Sequence, residues 1–397
     1  MSERVVNPTG RGFLLLDSHP AGCFATVARM RAEAGGDAAG PGKGPVALVV
    51  GSSAGYGLAA TIVGLARHGI RGVGIGFERP AGRRTATAGW YRTIATASMV
   101  AEAGGDFTFV NGDAFAEATK AEVLDLIAER FGGVDHLVYS VAAPRRTDPA
   151  TGVTHQSVIK PLGAAHRTRS MEFDADGTAA LREVIAEPAS EAEAEATVRV
   201  MGGDDWALWI GALAERGLVN DGFRTVALSY IGSALTAAIY RDGSIGAAKA
   251  HLEATAAGLT DRLAPWSGQA FTSVNGVAVT QASTAIPGLA LYVGLLRAVL
   301  GDRMQSPVEQ SVQLWEQLTG ARPLDLDEQG RIRLDRWELD PAVQAAVTER
   351  WEAVTSATIG EHADVEWFRT QFRSLYGFDV PDVDYTEPVE TDLPWPT

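Results

Sequence analysis

The stretch Val46-Ala-Leu-Val-Val-Gly-Ser-Ser-Ala-Gly-Tyr-Gly57 decides the fold of this chain. Its first five residues are apolar, as expected of a short strand covered on both faces. Gly51, Gly55 and Gly57 follow, and residues 56–68 then carry apolar side chains at helical spacing. A glycine loop between a strand and a helix lets the backbone approach a pyrophosphate, whose charge the helix N-terminus meets. The stretch therefore predicts a dinucleotide-binding turn, and the alternative is a tight turn that binds nothing.

Segments typical of strands and helices alternate on the C-terminal side of this turn. The composition and spacing predict strands at residues 46–50, 72–77, 107–110, 135–140, 224–229 and 276–280, and helices at 56–68 and 116–130. Such alternation predicts an α/β fold, a Rossmann-type doubly wound parallel sheet with right-handed crossovers.

The remaining segments are interpreted as additions to this sheet. Residues 1–45 are expected to form an N-terminal extension packed on the core, and residues 46–300 the Rossmann-type dinucleotide-binding core with an insertion near 144–223. Residues 301–397 form a helical C-terminal region with an extended acidic tail. Within the insertion, Ser190 and Glu193 have the spacing of a capping box that opens a helix. Residues 285–300 predict a buried helix rather than a membrane span, because Pro287 and Arg297 interrupt the apolar run.

The composition excludes several classes of function. The net charge of −15 over 397 residues argues against nucleic-acid binding, which needs a basic face. The single cysteine, Cys23, excludes an internal disulfide and fits a reducing cytoplasm. Seven scattered histidines give no metal-ligand cluster. The N-terminus lacks the apolar segment of a signal peptide, so we expect a cytoplasmic protein without a metal site or membrane span.

Polar residues after the predicted strands indicate which dinucleotide binds. Glu78 lies 27 residues after Gly51, where a carboxylate accepts hydrogen bonds from the ribose hydroxyls and repels a 2′-phosphate, which favours NADH. The arginines 79, 83 and 84 follow closely and leave NADPH open. Asp113 and Ala114 follow the next strand, where adenine is expected, and Val141 and Ala142 follow another, beside the expected nicotinamide ribose.

Tyr240 and Lys249 are the predicted chemical pair. They are nine residues apart, which on one helix is about 900° of rotation and puts them on opposite faces. Both reach one ligand only if Tyr240 lies on the approach loop and Lys249 in the following helix, with Ser244 as a plausible N-cap. A nearby ammonium would lower the pKa of the phenol. The alternative is a packed aromatic and a surface lysine. Tyr230 follows a strand and is interpreted as either facing substrate or packing in the core.

The sequence resembles the family of FabV-type enoyl-ACP reductases and trans-2-enoyl-CoA reductases over nearly its whole length. The nine-residue step from Tyr240 to Lys249 is that family's signature. Further motifs that carry the resemblance are Arg11-Gly-Phe13, His19-Pro-Ala-Gly-Cys23, Val50-Gly-Ser-Ser-Ala-Gly-Tyr-Gly-Leu-Ala59, Phe77-Glu-Arg-Pro80, Asn111-Gly-Asp-Ala-Phe115, Val138-Tyr-Ser-Val-Ala-Ala-Pro-Arg-Arg-Thr-Asp-Pro149, Val200-Met-Gly-Gly-Asp-Asp-Trp206, Ser229-Tyr-Ile-Gly232 and Val279-Thr-Gln-Ala-Ser283.

The resemblance implies a monomeric oxidoreductase of fatty acid biosynthesis that uses NADH to saturate the 2,3 double bond of an enoyl-CoA or enoyl-ACP thioester. It implies that Tyr240 is the proton donor, that Lys249 binds the cofactor and that Tyr230 contacts substrate. The other positions that it assigns to the cofactor are Gly51, Ser52, Ser53, Ala54, Gly55, Tyr56, Phe77, Glu78, Asp113, Ala114, Val141, Ala142, Ala278, Val279 and Thr280.

Two other functions remain as alternatives at the level of sequence. A carbonyl-reducing dehydrogenase would share the glycine loop, although its tyrosine and lysine are expected four residues apart. A non-catalytic dinucleotide-binding protein would keep the loop without needing Tyr240 and Lys249. The sequence leaves open whether the acyl group arrives on coenzyme A or on a carrier protein.

Overall fold

The computed structural model describes residues 3–36, 43–174 and 177–396. The helices are α1 (Pro20–Ala34), α2 (Gly55–His68), α3 (Ala88–Glu102), α4 (Glu117–Arg130), α5 (Glu191–Met201), α6 (Asp204–Glu215), α7 (Ser244–Leu263), α8 (Leu289–Leu300), α9 (Pro307–Leu318), α10 (Pro341–Ala353), α11 (Ile359–His362) and α12 (Val365–Ser374). The strands are β1 (Glu3–Arg4), β2 (Gly10–Arg11), β3 (Leu14–Leu15), β4 (Val46–Val50), β5 (Arg71–Gly76), β6 (Phe107–Asn111), β7 (Val134–Tyr139), β8 (Arg145–Thr147), β9 (Thr154–Gln156), β10 (His166–Phe173), β11 (Ala179–Ala186), β12 (Val219–Ser229), β13 (Gln269–Val274), β14 (Ile332–Arg333) and β15 (Val389–Glu390).

The central sheet has seven strands in the order β14-β13-β12-β7-β4-β5-β6, and every neighbouring pair is parallel. From β4 the chain first adds β5 and β6 on one side and then returns to add β7, β12, β13 and β14 on the other. This reversal places a crevice at the carboxyl ends of β4 and β7, where ligands of such sheets bind. The predicted α/β, Rossmann-type doubly wound sheet is confirmed.

Helices cover both faces of the sheet because its strands are apolar on both sides. On one face α4, α6 and α7 bury a cluster that includes Trp206 and Trp209. On the other face α2 and α9 pack around Trp315, whose indole N–H donates to the Ala60 carbonyl oxygen at 2.7 Å. Because β4 lies between both layers, all five of its residues are buried, as its uninterrupted apolar run predicts.

A third apolar cluster lies beside the sheet, on the side of the predicted insertion. It is built from α8, α10 and α12 together with the antiparallel hairpin of β10 and β11. The predicted buried helix at 285–300 is present as α8, which begins only at Leu289 because Gly288 before it has a φ of +79°. The predicted capping box of Ser190 and Glu193 is also confirmed, at the start of α5.

The two ends of the chain meet on the outside of the sheet. Strand β1 pairs with β15, and the indole N–H of Trp395 donates to the Phe109 carbonyl oxygen on the edge strand β6 at 3.0 Å. Trp90 of α3 donates in turn to the Leu393 carbonyl oxygen at 2.8 Å. The last described residues therefore form a strap along the β6 edge. No helix within the described ranges is long and apolar enough to cross a membrane.

One predicted strand is wrong. Residues 276–280 form a loop, and the strand before them is β13, which ends at Val274. The β-branched residues of this loop suggested a strand, but its first two amides donate to the side chains of Gln310 and Glu338 instead of to a neighbouring strand. The sequence pattern could not reveal these partners, which lie more than 30 residues away.

Candidate active site

The glycine loop after β4 is held against its neighbouring strands. The amides of Gly51 and Ser52 both donate to the Ile75 carbonyl oxygen of β5, at 2.9 and 2.8 Å. Gly51 has a φ of +91°, and a Cβ there would lie 2.1 Å from the Ser140 carbonyl oxygen. A Cβ at Gly57 would lie 1.9 Å from the Gly51 carbonyl oxygen. Only glycine fits these two positions, so the spacing that suggested a dinucleotide turn has a steric cause.

The start of α2 has no side-chain cap among the described residues. Its N-cap is Ala54, which makes no side-chain capping hydrogen bond, and its first residue, Gly55, has a φ of +54°. First-turn amides of a helix have no intrahelical partner and favour an anion. The loop of Gly51, Ser52, Ser53, Ala54, Gly55 and Tyr56 therefore has the chemistry of a pyrophosphate cradle.

Glu78 lies directly beside this loop. The Ser53 hydroxyl donates to Glu78 Oε1 at 2.6 Å, and the Glu78 backbone exchanges two hydrogen bonds with the Asn111 amide at the end of β6. Gly89 of α3 leaves room for the carboxylate, because a Cβ there would lie 2.0 Å from Glu78 Oε1. The preceding Phe77 is 76% exposed. The carboxylate is thus fixed next to the cradle, where a ribose diol would lie.

Asp113 and Ala114 follow β6 at the same edge. Asp113 Oδ1 accepts from the Phe115 amide at 3.0 Å, and the Ala114 carbonyl oxygen accepts from Lys120 Nζ at 2.6 Å. Val141 and Ala142 continue from β7, whose end is tied to β4 by the hydrogen bond from the Ser140 amide to the Val50 carbonyl oxygen at 2.8 Å. All four residues therefore lie just beyond the carboxyl ends of neighbouring strands.

Under the Ala114 turn lies a buried ion pair. Lys120 Nζ contacts Asp205 Oδ1 at 2.7 Å, and the Tyr139 hydroxyl donates to Asp205 Oδ2 at 3.0 Å. Lys120 Nζ also lies 4.9 Å from the centre of the Trp209 ring. Burial lowers the pKa of Lys120 and raises the pKa of Asp205, although each charge favours the other. The pair ties α4 and α6 to the turn that carries Asp113 and Ala114.

Tyr240 and Lys249 lie on a turn and on a helix, as their spacing required. Tyr240 belongs to the turn at 234–242 between β12 and α7, and its amide donates to the Thr236 carbonyl oxygen at 3.0 Å. Lys249 lies in the second turn of α7. The predicted N-cap was wrong by one residue: Gly243 caps α7, and the Ser244 hydroxyl donates instead to the Val158 carbonyl oxygen at 2.6 Å.

The Tyr240 side chain is 6% exposed and packs edge-on against Tyr230, with ring centres 4.7 Å apart and planes at 86°. The expected lowering of its pKa is wrong. Burial raises the pKa of Tyr240 well above its usual value, and the nearby Glu338 and Tyr56 add to this effect. Within the described residues the hydrogen bonds of Tyr240 run through its backbone alone. The phenol therefore keeps its proton at neutral pH and is available as a donor.

Lys249 approaches the same strand end from α7. Its Nζ lies 3.5 Å from the Leu228 carbonyl oxygen on β12, two residues before Tyr230. Burial lowers the pKa of Lys249 to about 8, and the nearby Glu253 opposes that shift. No hydrogen bond joins Lys249 to Tyr240 in the described part of the chain.

The loop with Ala278, Val279 and Thr280 closes the site from the β13 side. The Tyr56 hydroxyl donates to the Gly276 carbonyl oxygen, and a Cβ at Gly55 would lie 3.7 Å from Thr280 Cγ2. The glycine loop and this loop are therefore neighbours. The Ser283 hydroxyl accepts from the Thr280 amide at 2.8 Å and donates to the Ala278 carbonyl oxygen at 2.9 Å, which keeps the loop in one shape.

Sequence reasoning missed Glu338, a buried carboxyl group at this end of the site. Glu338 is 0% exposed, and its Oε1 accepts from the hydroxyls of Tyr230 and Tyr292, both at 2.8 Å. Its Oε2 accepts from the Val277 amide at 2.5 Å. Burial raises the pKa of Glu338 to about 7 despite these donors. Residues 325–340 are rich in charged side chains, which are mostly exposed in proteins, so no local signal distinguished this buried carboxyl group.

Comparison with known proteins gives consistent matches over the whole chain. The family model described as the NAD(P)H binding domain of trans-2-enoyl-CoA reductase matches residues 5–83, and the trans-2-enoyl-CoA reductase catalytic region matches residues 84–319. A third model, the enoyl reductase FAD binding domain, matches residues 326–389. A curated enoyl-[acyl-carrier-protein] reductase [NADH] of Streptomyces avermitilis is 67% identical over 391 residues, covering 98% of this chain and 100% of the relative.

Solved structures agree with these matches. The trans-2-enoyl-CoA reductase of Treponema denticola in complex with NAD has a TM-score of 0.90 at 37% identity, covering 98% of this chain and 99% of that one. The trans-2-enoyl-CoA reductase of Clostridium acetobutulicum in complex with NADH also has a TM-score of 0.90, at 32% identity and 98% coverage of both chains.

The residues matched by the FAD model do not fit a flavin dinucleotide. The N-termini of α10 and α12, which could meet a pyrophosphate, are already capped by the carboxylates of Asp340 and Asp364. A cavity of about 730 Å³ beside α12 is lined by Glu361, Asp364 and Glu366. Its one lining arginine, Arg369, is held by Glu366 and by a backbone carbonyl. This surface would repel the pyrophosphate, so no chemistry at the site is assigned to flavin.

Proposed function

The chain belongs to the trans-2-enoyl-CoA reductase family, and from that premise we propose how its residues act. It is an NADH-dependent oxidoreductase that reduces the 2,3 double bond of trans-2-enoyl thioesters. The observation that carries the assignment of residues is their common position. Each assigned segment follows the carboxyl end of a strand in the central sheet, and these strands are neighbours. The segments are the glycine loop, Glu78, Asp113, Tyr230, the Tyr240 turn and the loop at 276–280.

Binding of NADH is assigned to residues along this edge. The first-turn amides of α2 and the loop at 51–56 would hold the pyrophosphate, and Glu78 would accept from the adenosine ribose hydroxyls. Asp113 and Ala114 would border the adenine, and Val141 and Ala142 the nicotinamide ribose. Phe77 would line the adenosine side, and Ala278, Val279 and Thr280 the nicotinamide. When bound, NADH supplies the hydride for the β-carbon of the substrate.

Tyr240 acts on the thioester. Negative charge develops on the thioester oxygen after hydride addition, and a neutral phenol stabilises it by donating a hydrogen bond. Burial raises the pKa of Tyr240, so the phenol is neutral and can donate this hydrogen bond, although the same shift makes it a weaker acid than a free phenol. Tyr240 then gives its proton to the α-carbon, which completes the saturated acyl thioester. Tyr230, whose ring packs on Tyr240, borders the acyl group.

Lys249 holds the nicotinamide ribose by donating from its ammonium group. Because burial lowers its pKa to about 8, the group loses its proton as the pH rises through that value. The KM for NADH should therefore increase above about pH 8.

The experiment that tests the proposal is Tyr240→Phe, assayed by NADH oxidation with trans-2-enoyl-CoA. We expect a loss of turnover on the order of 10²–10⁴-fold with the Kd for NADH nearly unchanged. Tyr91→Phe is the matched control, because Tyr91 is a buried tyrosine of α3 whose hydroxyl donates to the Thr391 carbonyl oxygen at the tail. Near-native turnover of the Tyr240 variant would remove this tyrosine from the mechanism.

The finer points of the assignment are also proposals. We propose that the acyl group is carried by an acyl carrier protein, as in the name of the relative at 67% identity, and that the chain acts as a cytoplasmic monomer. The free, buried Cys23 supports a reducing compartment. Residues 1–45, 46–300 and 301–397 would act as one catalytic unit. Comparison of kcat/KM on enoyl-CoA and enoyl-carrier substrates tests the carrier, and light scattering tests the monomer.

A further inference from the structure

Glu338 is buried beside Tyr230 and Tyr240, yet no cation pairs with it among the described residues. Its carboxylate oxygens receive three donors, the hydroxyls of Tyr230 and Tyr292 and the amide of Val277. No ion pair involves Glu338 in the described part of the chain. A carboxyl group that is fully buried without a cation costs stability, so its presence at this position calls for a role.

The three contacts join two parts of the site that approach from different strands. Tyr230 follows β12 and packs edge-on against Tyr240. Val277 is the second residue of the loop at 276–280, which carries Ala278, Val279 and Thr280 after β13. Glu338 touches both, and its own position is fixed by the backbone hydrogen bond of its amide to the Asp335 carbonyl oxygen at 3.0 Å.

The loop is clamped from two further directions. The Gly276 amide donates to Gln310 Oε1 of α9 at 2.8 Å, and the Gly276 carbonyl oxygen accepts from Tyr56 of α2. These contacts hold the loop to the α2 and α9 side of the site, but neither involves Tyr230, which follows β12. The backbones beside Tyr230 and the loop are already joined by the Asn275 amide, which donates to the Ser229 carbonyl oxygen at 2.9 Å. Among the described hydrogen bonds, Glu338 is the side chain that joins the loop to the Tyr230 hydroxyl.

We propose that Glu338 is a positioning residue of the reductase, which holds Tyr230, and through it the ring of Tyr240, at a fixed distance from the loop at 276–280. This inference rests on the proposed function, because the loop and Tyr240 are assigned there to the two halves of the reaction. Holding the hydride donor and the proton donor in one geometry raises turnover more than it tightens binding.

The ionised carboxylate is the stronger acceptor for all three contacts. A protonated carboxyl group accepts more weakly and carries an O–H that must itself find an acceptor, so protonation weakens its hold on the three donors. Because the pKa of Glu338 lies near 7, this change falls within the assay range. The other titratable groups that face Glu338 are Tyr56, Tyr230, Tyr240 and Tyr292, which stay neutral there, and the ion-paired Asp335.

The test compares Glu338→Gln with the wild type in kcat, KM and the pH profile. In the wild type, kcat should fall as the pH drops below about 7. In Glu338→Gln that limb should disappear, with kcat about tenfold lower at pH 8 and both KM values within about threefold. A wild-type kcat and an unchanged acidic limb in this variant would overturn the proposal.

Two further variants separate positioning from a general loss of structure. Tyr230→Phe should lower kcat as much as Glu338→Gln, and the double variant should be no worse than either single one. Tyr91→Phe is the control, because it removes the hydroxyl of a buried tyrosine on α3 that donates to the Thr391 carbonyl oxygen, and it should keep kcat within about twofold.

Additive losses in the double variant, or a native kcat in Tyr230→Phe, would contradict a role through Tyr230. These outcomes are distinct from failure of the proposed function, which would show as no NADH oxidation by the wild type with any enoyl thioester.

Discussion

The two ends of the strand edge each contain a buried carboxyl group, but they stabilise it in opposite ways. Asp205, 1% exposed beneath the Ala114 turn, faces the ammonium of Lys120 at 2.7 Å. Glu338, beside the tyrosines, faces two phenols and one backbone amide. Lys120 opposes the effect of burial on the pKa of Asp205, whereas only neutral donors oppose the effect of burial on the pKa of Glu338. The end at the Ala114 turn therefore has an ion-paired support, and the end at the tyrosines has an unpaired carboxyl group.

The largest loss of stability should follow from removing one partner of the Lys120–Asp205 ion pair. Lys120→Met leaves the Asp205 carboxylate buried without its cation, which should lower the free energy of unfolding by about 3–5 kcal/mol. Thermal or urea unfolding measures the loss. The double variant Lys120→Met, Asp205→Leu removes both charges and should recover part of it. If the single variant were as stable as the wild type, the pair would not be the support described above.

The carboxyl group of Glu338 should make the stability of the protein depend on pH. The pKa of Glu338 is raised from 4.5 to about 7, so its folded-state stability is fully present below pH 4.5 and is lost as the pH rises through 7. The loss should approach roughly 3 kcal/mol. Glu338→Gln has no such titration, so the difference in Tm between the two proteins should change over this range. A constant difference would contradict the assignment of this pKa.

A smaller effect is expected where Glu78 meets α3. Gly89→Ala places a methyl group in the space of Glu78 Oε1, which can move because it is the end of a flexible side chain. The carboxylate should leave the ribose position and reduce the preference for NADH over NADPH by about tenfold, or ~1.4 kcal/mol. The ratio of kcat/KM for the two cofactors measures this. Glu78→Ala should shift the ratio in the same direction, and opposite shifts would exclude a shared cause.

The smallest effect is expected at Tyr139. Tyr139→Phe removes one hydrogen bond to Asp205 while the Lys120 contact stays, and it should cost about 1 kcal/mol of stability. Urea unfolding checks this value. A cost as large as that of Lys120→Met would show that the phenol and not the cation carries the support.

Much of this arrangement was visible in the sequence because it depends on local patterns. The order of strands and helices, the glycine positions and the loop-then-helix placement of Tyr240 and Lys249 follow from periodicity and spacing. The strand predicted at 276–280 and the lowered pKa of Tyr240 were both wrong because of surroundings that only the fold creates. Burial is the main cause that raises the pKa of Tyr240, with Glu338 adding to it, and the loop amides donate to Gln310 and Glu338, which lie 34 and 61 residues away.

The strap formed by the last described residues has a consequence for self-association. Strand β6 ends the sheet, and an uncovered edge strand invites pairing with another copy and growth into aggregates. Here the Trp395 indole occupies the Phe109 carbonyl oxygen of that strand, and Trp90 anchors the strap through Leu393. Removal of the strap should therefore expose the Phe109 carbonyl oxygen on the edge strand β6 and favour pairing of this edge with another copy.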